Sequence, residues 1–238
     1  MNEATKLTQL SSNRLLAALP IEEYGRMFPK LEKFALNYEE NIYQRNAEIR
    51  YVYFPNSGII SLLTEVEDNS TLEVGLIGKE GIVGIALFLG VKTSNIQAIV
   101  QGIGSAMRMT AEDFIVECKN GGALPRSLQR FLHSRLTQVS QSAACYRFHP
   151  IEARLARWLL MTSDRMDSNE FLITQEFLSN MLGVRREAVN KSAVSLQLQK
   201  IISYSRGHIS IIDRQGLEMA TCLCYGIIRD EEKSFPTI

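Results

Sequence analysis

The feature that most constrains this chain is a change of period near Ala111. Before it, apolar residues fall in short runs separated by turn formers; after it, they recur at helical spacing. Leu31 to Leu36, Ile49 to Phe54, Gly58 to Thr64, Leu72 to Ile77 and Ile96 to Met109 read as strands. They are punctuated by Pro55-Asn56, Asp68-Asn69, Gly78, Gly81, Gly102 and Gly104. Strands so short and so closely spaced predict an antiparallel sandwich or roll. Ahead of them, Arg14 to Met27 carries one or two helical turns broken by Pro20. A chain of 238 residues that is 45% hydrophobic has room for two cores, and two domains are expected.

From Ala111 a short helix runs to Lys119, the triplet Asn120-Gly121-Gly122 breaks it, and a long helical run extends from about Leu124 to Phe148. Within that run Leu132, Leu136, Val139, Ala143 and Tyr146 are spaced 4, 3, 4 and 3. Such a heptad-like stripe can be buried between two copies of the chain as a short coiled coil. The same stripe also suits a helix packed on its own domain. Pro150 ends the run, because proline lacks the donor a helix needs and pushes the residue before it out of helical geometry. His149-Pro150 therefore marks a boundary, and another helix follows from Ile151 to about Arg165.

Residues 171 to 214 concentrate the functional signals. Thr174 can cap a helix whose Phe177, Leu178, Met181 and Leu182 share one side, Gly183 permits a sharp turn, and Val184 can fill the angle before a second helix. In that second helix Val189, Ala193 and Leu196 face inward, which leaves Arg186, Glu187, Asn190 and Lys191 together on the opposite face. A helix entering a major groove needs such side chains: Arg and Lys for guanine edges or phosphates, Asn for adenine, Glu for the cytosine amino group. Arg185 at the helix start suits a phosphate. Ile201 to Ser205 and His208 to Ile212 alternate about Arg206-Gly207, which predicts a hairpin with Arg206 at its tip, within reach of a phosphate. A helix pair with a polar outer face also occurs in ordinary bundles; the compact order of helix, turn, charged helix and hairpin favours nucleic acid.

The zero net charge conceals an asymmetry. Residues 1–125 carry 11 basic and 15 acidic side chains, and residues 126–238 carry 15 and 11. An excess of cations in the second half suits a polyanionic partner if the charges share a face. Cys118, Cys145, Cys222 and Cys224 include no CxxC pair, and His133, His149 and His208 are far apart. No metal, no cofactor and no disulfide framework are expected. No GxSxG, P-loop, HExxH or paired-carboxylate arrangement is present, so no catalytic residue is assigned and an enzyme is not expected. The opening lacks a signal-peptide pattern and no apolar run approaches a membrane span, so a cytoplasmic protein without membrane contact is expected.

The stretch from Ile173-Thr174-Gln175-Glu176 through Leu182-Gly183-Val184-Arg185-Arg186-Glu187-Ala188-Val189-Asn190-Lys191, followed by Arg206-Gly207-His208-Ile209-Ser210-Ile211, resembles the DNA-binding segment of the Crp/Fnr family. Val74 to Gly84 (VGLIGKEGIVG) is similar to the glycine-rich strand connection of that family's roll. The resemblance implies an α+β chain. Its parts are an N-terminal antiparallel β-roll, jelly-roll-like and of the cyclic-nucleotide-binding type (1–123), a dimerisation helix and hinge (124–149), and a C-terminal winged helix-turn-helix (150–238). It also implies a homodimer reading a two-fold symmetric double-stranded DNA site, with Arg186 and Glu187 on bases and Lys191 where the family usually has arginine. A contact with RNA polymerase and a small-molecule effector, or none, belong to the same implication.

Two departures stand out. Arg185 occupies a helix start usually held by Ser or Thr, so the side-chain cap is lost or replaced. Gly84 to Ile96 (GIALFLGVKTSNI) contains no Glu and no Arg, where cyclic-nucleotide-binding members place a phosphate cassette with both. A buried cyclic phosphate needs a cationic fork, and Lys92 is a poor substitute, so cAMP and cGMP binding of the usual kind are expected to be absent. The N-terminal cysteine cluster of iron–sulfur members is also missing, since the first cysteine is Cys118. The competing reading is a small-molecule sensor or interaction module whose helix-turn-helix contacts protein.

Overall fold

The computed structural model describes residues 11–66 and 71–234. The Asp68-Asn69 punctuation lies outside the described residues. The chain divides into two compact units: one holds 11–62 and 77–135, the other holds 63–66, 71–76 and 136–234.

In the first unit, two short helices, α1 (Arg14–Ala17) and α2 (Ile21–Met27), flank Pro20. Asn13 is fully buried and fixes their entry: its Oδ1 accepts from the amides of Leu15 and Leu16, and its Nδ2 donates to the carbonyls of Pro55 (2.9 Å) and Gly81 (2.8 Å). Strands β1 (Glu32–Leu36), β2 (Asn41–Tyr43), β3 (Tyr51–Glu65), β4 (Thr71–Ile77) and β5 (Gln97–Thr110) form one sheet of order β1-β5-β3-β4, with β2 also on β5. β1 and β2 pair with β5 antiparallel. Val52, Phe54, Ile59, Ile60, Ala98 and Val100 turn into the core, where Phe54 meets Phe114 of α3 (Ala111–Lys119) edge-on with ring centroids 6.5 Å apart.

One expected break is not found. Pro55-Asn56 does not end a strand, and β3 runs through it; the Pro55 carbonyl and the Asn56 side chain instead bind the α1 entry. Gly102 and Gly104 lie inside β5, which matches the run expected from Ile96 to Met109. A Cβ on Gly104 would collide with the Ser57 backbone, and one on Gly58 (φ +79°) would collide with the Gly102 carbonyl oxygen. These glycines mark close approach of two backbones inside a sheet.

The long helix α4 (Ala123–Phe148) and α5 (Ile151–Met166) follow, separated at His149-Pro150 as the proline demands. α5 is the centre of the second unit: Leu155, Ala156, Trp158, Leu159, Leu160 and Met161 are all buried. The Trp158 indole donates to Glu73 Oε1 (3.1 Å), and Tyr146 Oη donates to the Glu73 carbonyl (2.6 Å), which secures the 71–76 segment of β4. Around α5 lie α6 (Gln175–Leu182), α7 (Arg186–Leu198) and a three-stranded sheet of order β6-β8-β7: β6 (Glu170–Leu172), β7 (Ile202–Ser205) and β8 (His208–Ile211). Two closing helices follow, α8 (Arg214–Ala220) and α9 (Leu223–Lys233). Asp164 of α5 ties both down, accepting from Arg214 (2.6 Å) and from the Tyr225 hydroxyl (2.8 Å).

Candidate nucleic-acid interface

α6 starts where its cap allows. Thr174 Oγ1 accepts from the Phe177 amide (3.1 Å), satisfying one of the amides that a helix start leaves without an intrahelical partner. Phe177, Leu178, Met181 and Leu182 are buried, and Gly183 ends the helix in the left-handed region (φ +60°), with its amide bonded to the Asn180 carbonyl and the Val184 amide to the Ser179 carbonyl. α7 then begins at Arg185, which makes no side-chain cap bond, in line with the departure noted in the sequence. Val189, Ala193 and Leu196 are buried on its inner face.

The outer surface gathers the expected side chains. Thr174, Arg185, Arg186, Glu187, Asn190, Lys191 and Arg206 are all exposed. Four of them, Thr174, Arg186, Asn190 and Arg206, line one concavity together with Gln175 and Tyr204. Gln175 organises it: its Oε1 accepts from Arg186 Nε (3.4 Å) and its Nε2 donates to Asn190 Oδ1 (3.0 Å). Gln175 was visible in the motif but not assigned a role, because its link to α7 depends on the angle between the two helices. Arg185, at the N-cap, and Glu187 and Lys191 of the same helix are exposed outside that concavity.

The hairpin reaches that concavity through a two-residue turn. Ser205 pairs with His208, and both Arg206 (φ +50°) and Gly207 (φ +83°) have left-handed backbones, the geometry that matches the twist of a two-residue hairpin. The Gly207 carbonyl accepts from the Ile173 amide (2.6 Å) and the Tyr204 hydroxyl donates to the Ile173 carbonyl (3.0 Å). The wing is thereby hydrogen-bonded to the chain entering α6, so Arg206 has a fixed base.

The charge asymmetry has a mixed origin. Arg154, Arg157 and Arg165 are buried, at 7%, 3% and 4% exposure, and so do not contribute to any cationic face. Arg154 donates to the Leu182 carbonyl at the end of α6 and stacks over the Tyr146 ring at 4.8 Å; Arg165 pairs with Glu232. On α4, Leu136, Val139 and Ala143 are exposed, Leu136 at 67%, whereas Leu132 and Tyr146 are half-buried. The Tyr146 hydroxyl is pushed up to about 12 by burial, which outweighs the downward pull of the Arg157 and Arg154 guanidiniums.

In the first unit, the region of the missing cassette forms a short 3-10 turn, Ile85–Leu89, between two left-handed glycines, Gly84 and Gly90. Tyr43 sets its hydroxyl against Ser94 and the Gly84 backbone, and burial pushes that hydroxyl up to about 12. Lys92 shares a cavity with Arg50 and with the carboxylates of Glu48, Glu112 and Asp113. Elsewhere, Cys145, His149, Cys222 and Cys224 bring their ligand atoms within 4.8 Å of one another, a grouping that distance along the chain concealed. Among the described residues no helix is long and apolar enough to cross a membrane.

Residues 153–220 match the model of the Crp-like helix-turn-helix domain. No curated protein matches the chain. Among solved structures, FixK2 from Bradyrhizobium japonicum is 16% identical with a TM-score of 0.69, over 81% of this chain and 98% of its own. The c-di-GMP-responsive global regulator CLP of Xanthomonas campestris is 16% identical with a TM-score of 0.66, over 81% and 99%. A transcriptional regulator of the CRP/FNR family from Thermus thermophilus is 18% identical with a TM-score of 0.66, over 79% and 97%.

Proposed function

For a chain that carries a Crp-like helix-turn-helix domain within the fold of the Crp/Fnr regulators, we propose sequence-specific binding of duplex DNA as a homodimer in transcription regulation. In this reading 1–123 is a sensor roll, 124–149 the dimerisation helix and hinge, and 150–238 the DNA-binding domain. The observation that carries it is the single exposed surface on which Thr174, Arg186, Asn190 and Arg206 meet, with Lys191 and Arg185 on the same helix. α7 enters the major groove. Arg186 forks onto a guanine edge, Glu187 accepts from a cytosine amino group, and Asn190 and Lys191 read or hold the adjacent step. Arg185 and Arg206 bind phosphates on either side, and Thr174 presents the start of α6 to the backbone. Gln175, by holding Arg186 and Asn190 before DNA arrives, reduces the side-chain entropy lost on binding.

Two copies meet along α4 through Leu132, Leu136, Val139, Ala143 and Tyr146. The exposure of Leu136, Val139 and Ala143 supports the centre of that stripe, since a large apolar side chain left in water gains most from a partner. Cyclic nucleotides of the usual kind are not the effector. Lys92 is the single cation of the Gly84 to Ile96 stretch, three carboxylates share its cavity, and an anion there would meet more repulsion than pairing. A contact with RNA polymerase belongs to the same proposal.

Selection of bound sequences from a random duplex pool tests this at fixed salt, with and without cAMP and cGMP. The expected result is one palindromic motif, equally enriched in each, with half-sites about one helical turn apart. Enrichment only with nucleotide overturns the effector reading. No enrichment in any pool, together with binding that responds weakly to salt, favours the protein-contact reading of the helix pair.

A further inference from the structure

Cys145 and His149 lie one helical turn apart at the end of α4, and the turn is intact through His149, whose amide donates to the Cys145 carbonyl (3.1 Å). Their side chains therefore share a face. Cys222 precedes α9 with an extended backbone (φ −90°, ψ 165°) and Cys224 sits in the first turn, so the two thiols of this C-x-C approach from the opposite side. Cys145 Sγ is 3.5 Å from Cys222 Sγ, Cys224 Sγ is 3.6 Å from His149 Nδ1, and the four ligand atoms all lie within 4.8 Å of one another. All four residues belong to the second unit.

We propose that Cys145, His149, Cys222 and Cys224 form a structural zinc site. A tetrahedral zinc with S ligands at about 2.3 Å and an N ligand at about 2.0 Å holds its donors about 3.5 to 3.8 Å apart. The two closest pairs already have that separation, and the others need only a small contraction. The donor set is three soft thiols and an imidazole, which suits zinc over magnesium or calcium. All four positions are protein ligands, so the site is closed, as structural sites are and catalytic ones are not. The cysteines are free in this structure, and the 3.5 Å between Cys145 and Cys222 is far longer than the roughly 2.05 Å of a disulfide.

The surroundings complement the charge. Three thiolates and an imidazole around a divalent ion carry one net negative charge, and the Arg157 guanidinium lies within electrostatic reach of Cys145 and Cys224. Arg157 is 3% exposed, donates to Ser142 Oγ (3.2 Å) and has no carboxylate partner among the described residues. A buried cation without a counter-ion is costly, and the loaded site supplies one. Zinc there clasps the end of α4, just before the hinge, to the connection between α8 and α9. The proposal is independent of what the helix-turn-helix reads.

Anaerobic titration of the reduced full-length chain with cobalt(II) tests it. The expected result is a thiolate-to-cobalt charge-transfer band with intense tetrahedral d–d bands, saturating at one cobalt per chain, bleached by zinc, and accompanied by a rise in Tm with either metal. Cys222→Ser is expected to weaken metal binding at least tenfold, and Cys118→Ser, outside the cluster, to leave it unchanged. A wild-type spectrum lacking the charge-transfer band overturns the site even if the Cys222 variant fails to fold. So does a spectrum that survives in the folded Cys222→Ser/Cys224→Ser double variant. Finding no metal affinity in the reduced chain and a Cys145–Cys222 disulfide by mass spectrometry in air also overturns it, assigning the pair to thiol oxidation instead.

Discussion

Two sets of arginines in the second unit show how one residue type serves opposite ends. Arg154, Arg157 and Arg165 of α5 are buried, where each is engaged with a carbonyl, a hydroxyl or a carboxylate of a neighbouring element. Arg185, Arg186 and Arg206 are exposed around α7 and the wing tip, where their polar partners are sparse. The inner set stabilises the unit through geometry, since a guanidinium fork can hold several acceptors at once. The outer set is the one on which the proposed DNA contact rests. Counting charges along the chain adds the two sets together, although only the exposed set offers its donors to a partner at the surface.

Substitutions separate the sets. The largest effect is expected for Arg165→Ala, which leaves Glu232 without its buried cation and should cost about 3 kcal/mol of stability, read as a lower urea midpoint. If the midpoint does not move, the inner set is not structural.

A pH series probes the same interior. Burial pushes the Tyr146 and Tyr225 hydroxyls up to about 12. Because the folded values lie above the unfolded value near 10, the stability from keeping these phenols neutral is complete below pH 10 and is lost as pH rises towards 12. Urea midpoints should fall through that window, and the fall should shrink in Tyr225→Phe.

For the outer set, Arg186→Ala should leave stability within about 0.5 kcal/mol while costing about 1 to 3 kcal/mol of discrimination at one base of each half-site. Equal loss on every sequence would remove Arg186 from base reading. The smallest change is expected for Arg206→Gly. The left-handed backbone at Arg206 strains a residue with a side chain, so glycine should raise stability by about 0.5 kcal/mol. The same variant should weaken all DNA sequences alike and lower the salt slope by about one.

The parts of the fold that could be read from sequence are those specified locally. The α6–α7 pair was legible because Thr174, Gly183 and the apolar positions each report on their own turn, and the wing because Arg206-Gly207 interrupts two alternating runs. β2 was not legible, since three residues, Asn41–Tyr43, carry no alternation to detect. Pro55 gave a misleading signal because its carbonyl serves Asn13, a residue distant in sequence, inside an unbroken strand. The closing helices were missed although Asp213 caps α8 through the Gly216 amide (2.9 Å), because a lone capping residue before a seven-residue helix is a faint cue. The buried state of the α5 arginines has no local signature, and the cysteine–histidine cluster joins positions 77 residues apart.

The placement of 63–66 and 71–76 in the second unit bears on how this protein can be divided in the laboratory or by evolution. A gene fragment beginning at the His149-Pro150 break would encode the helix-turn-helix and its wing. It would omit the strand whose Glu73 accepts from the Trp158 indole, and whose Leu72 side chain lies against Gly183. The helix-turn-helix and wing are therefore not a portable cassette. Grafting them onto another chain requires carrying 71–76 with them, or replacing the acceptor that the buried tryptophan would lose.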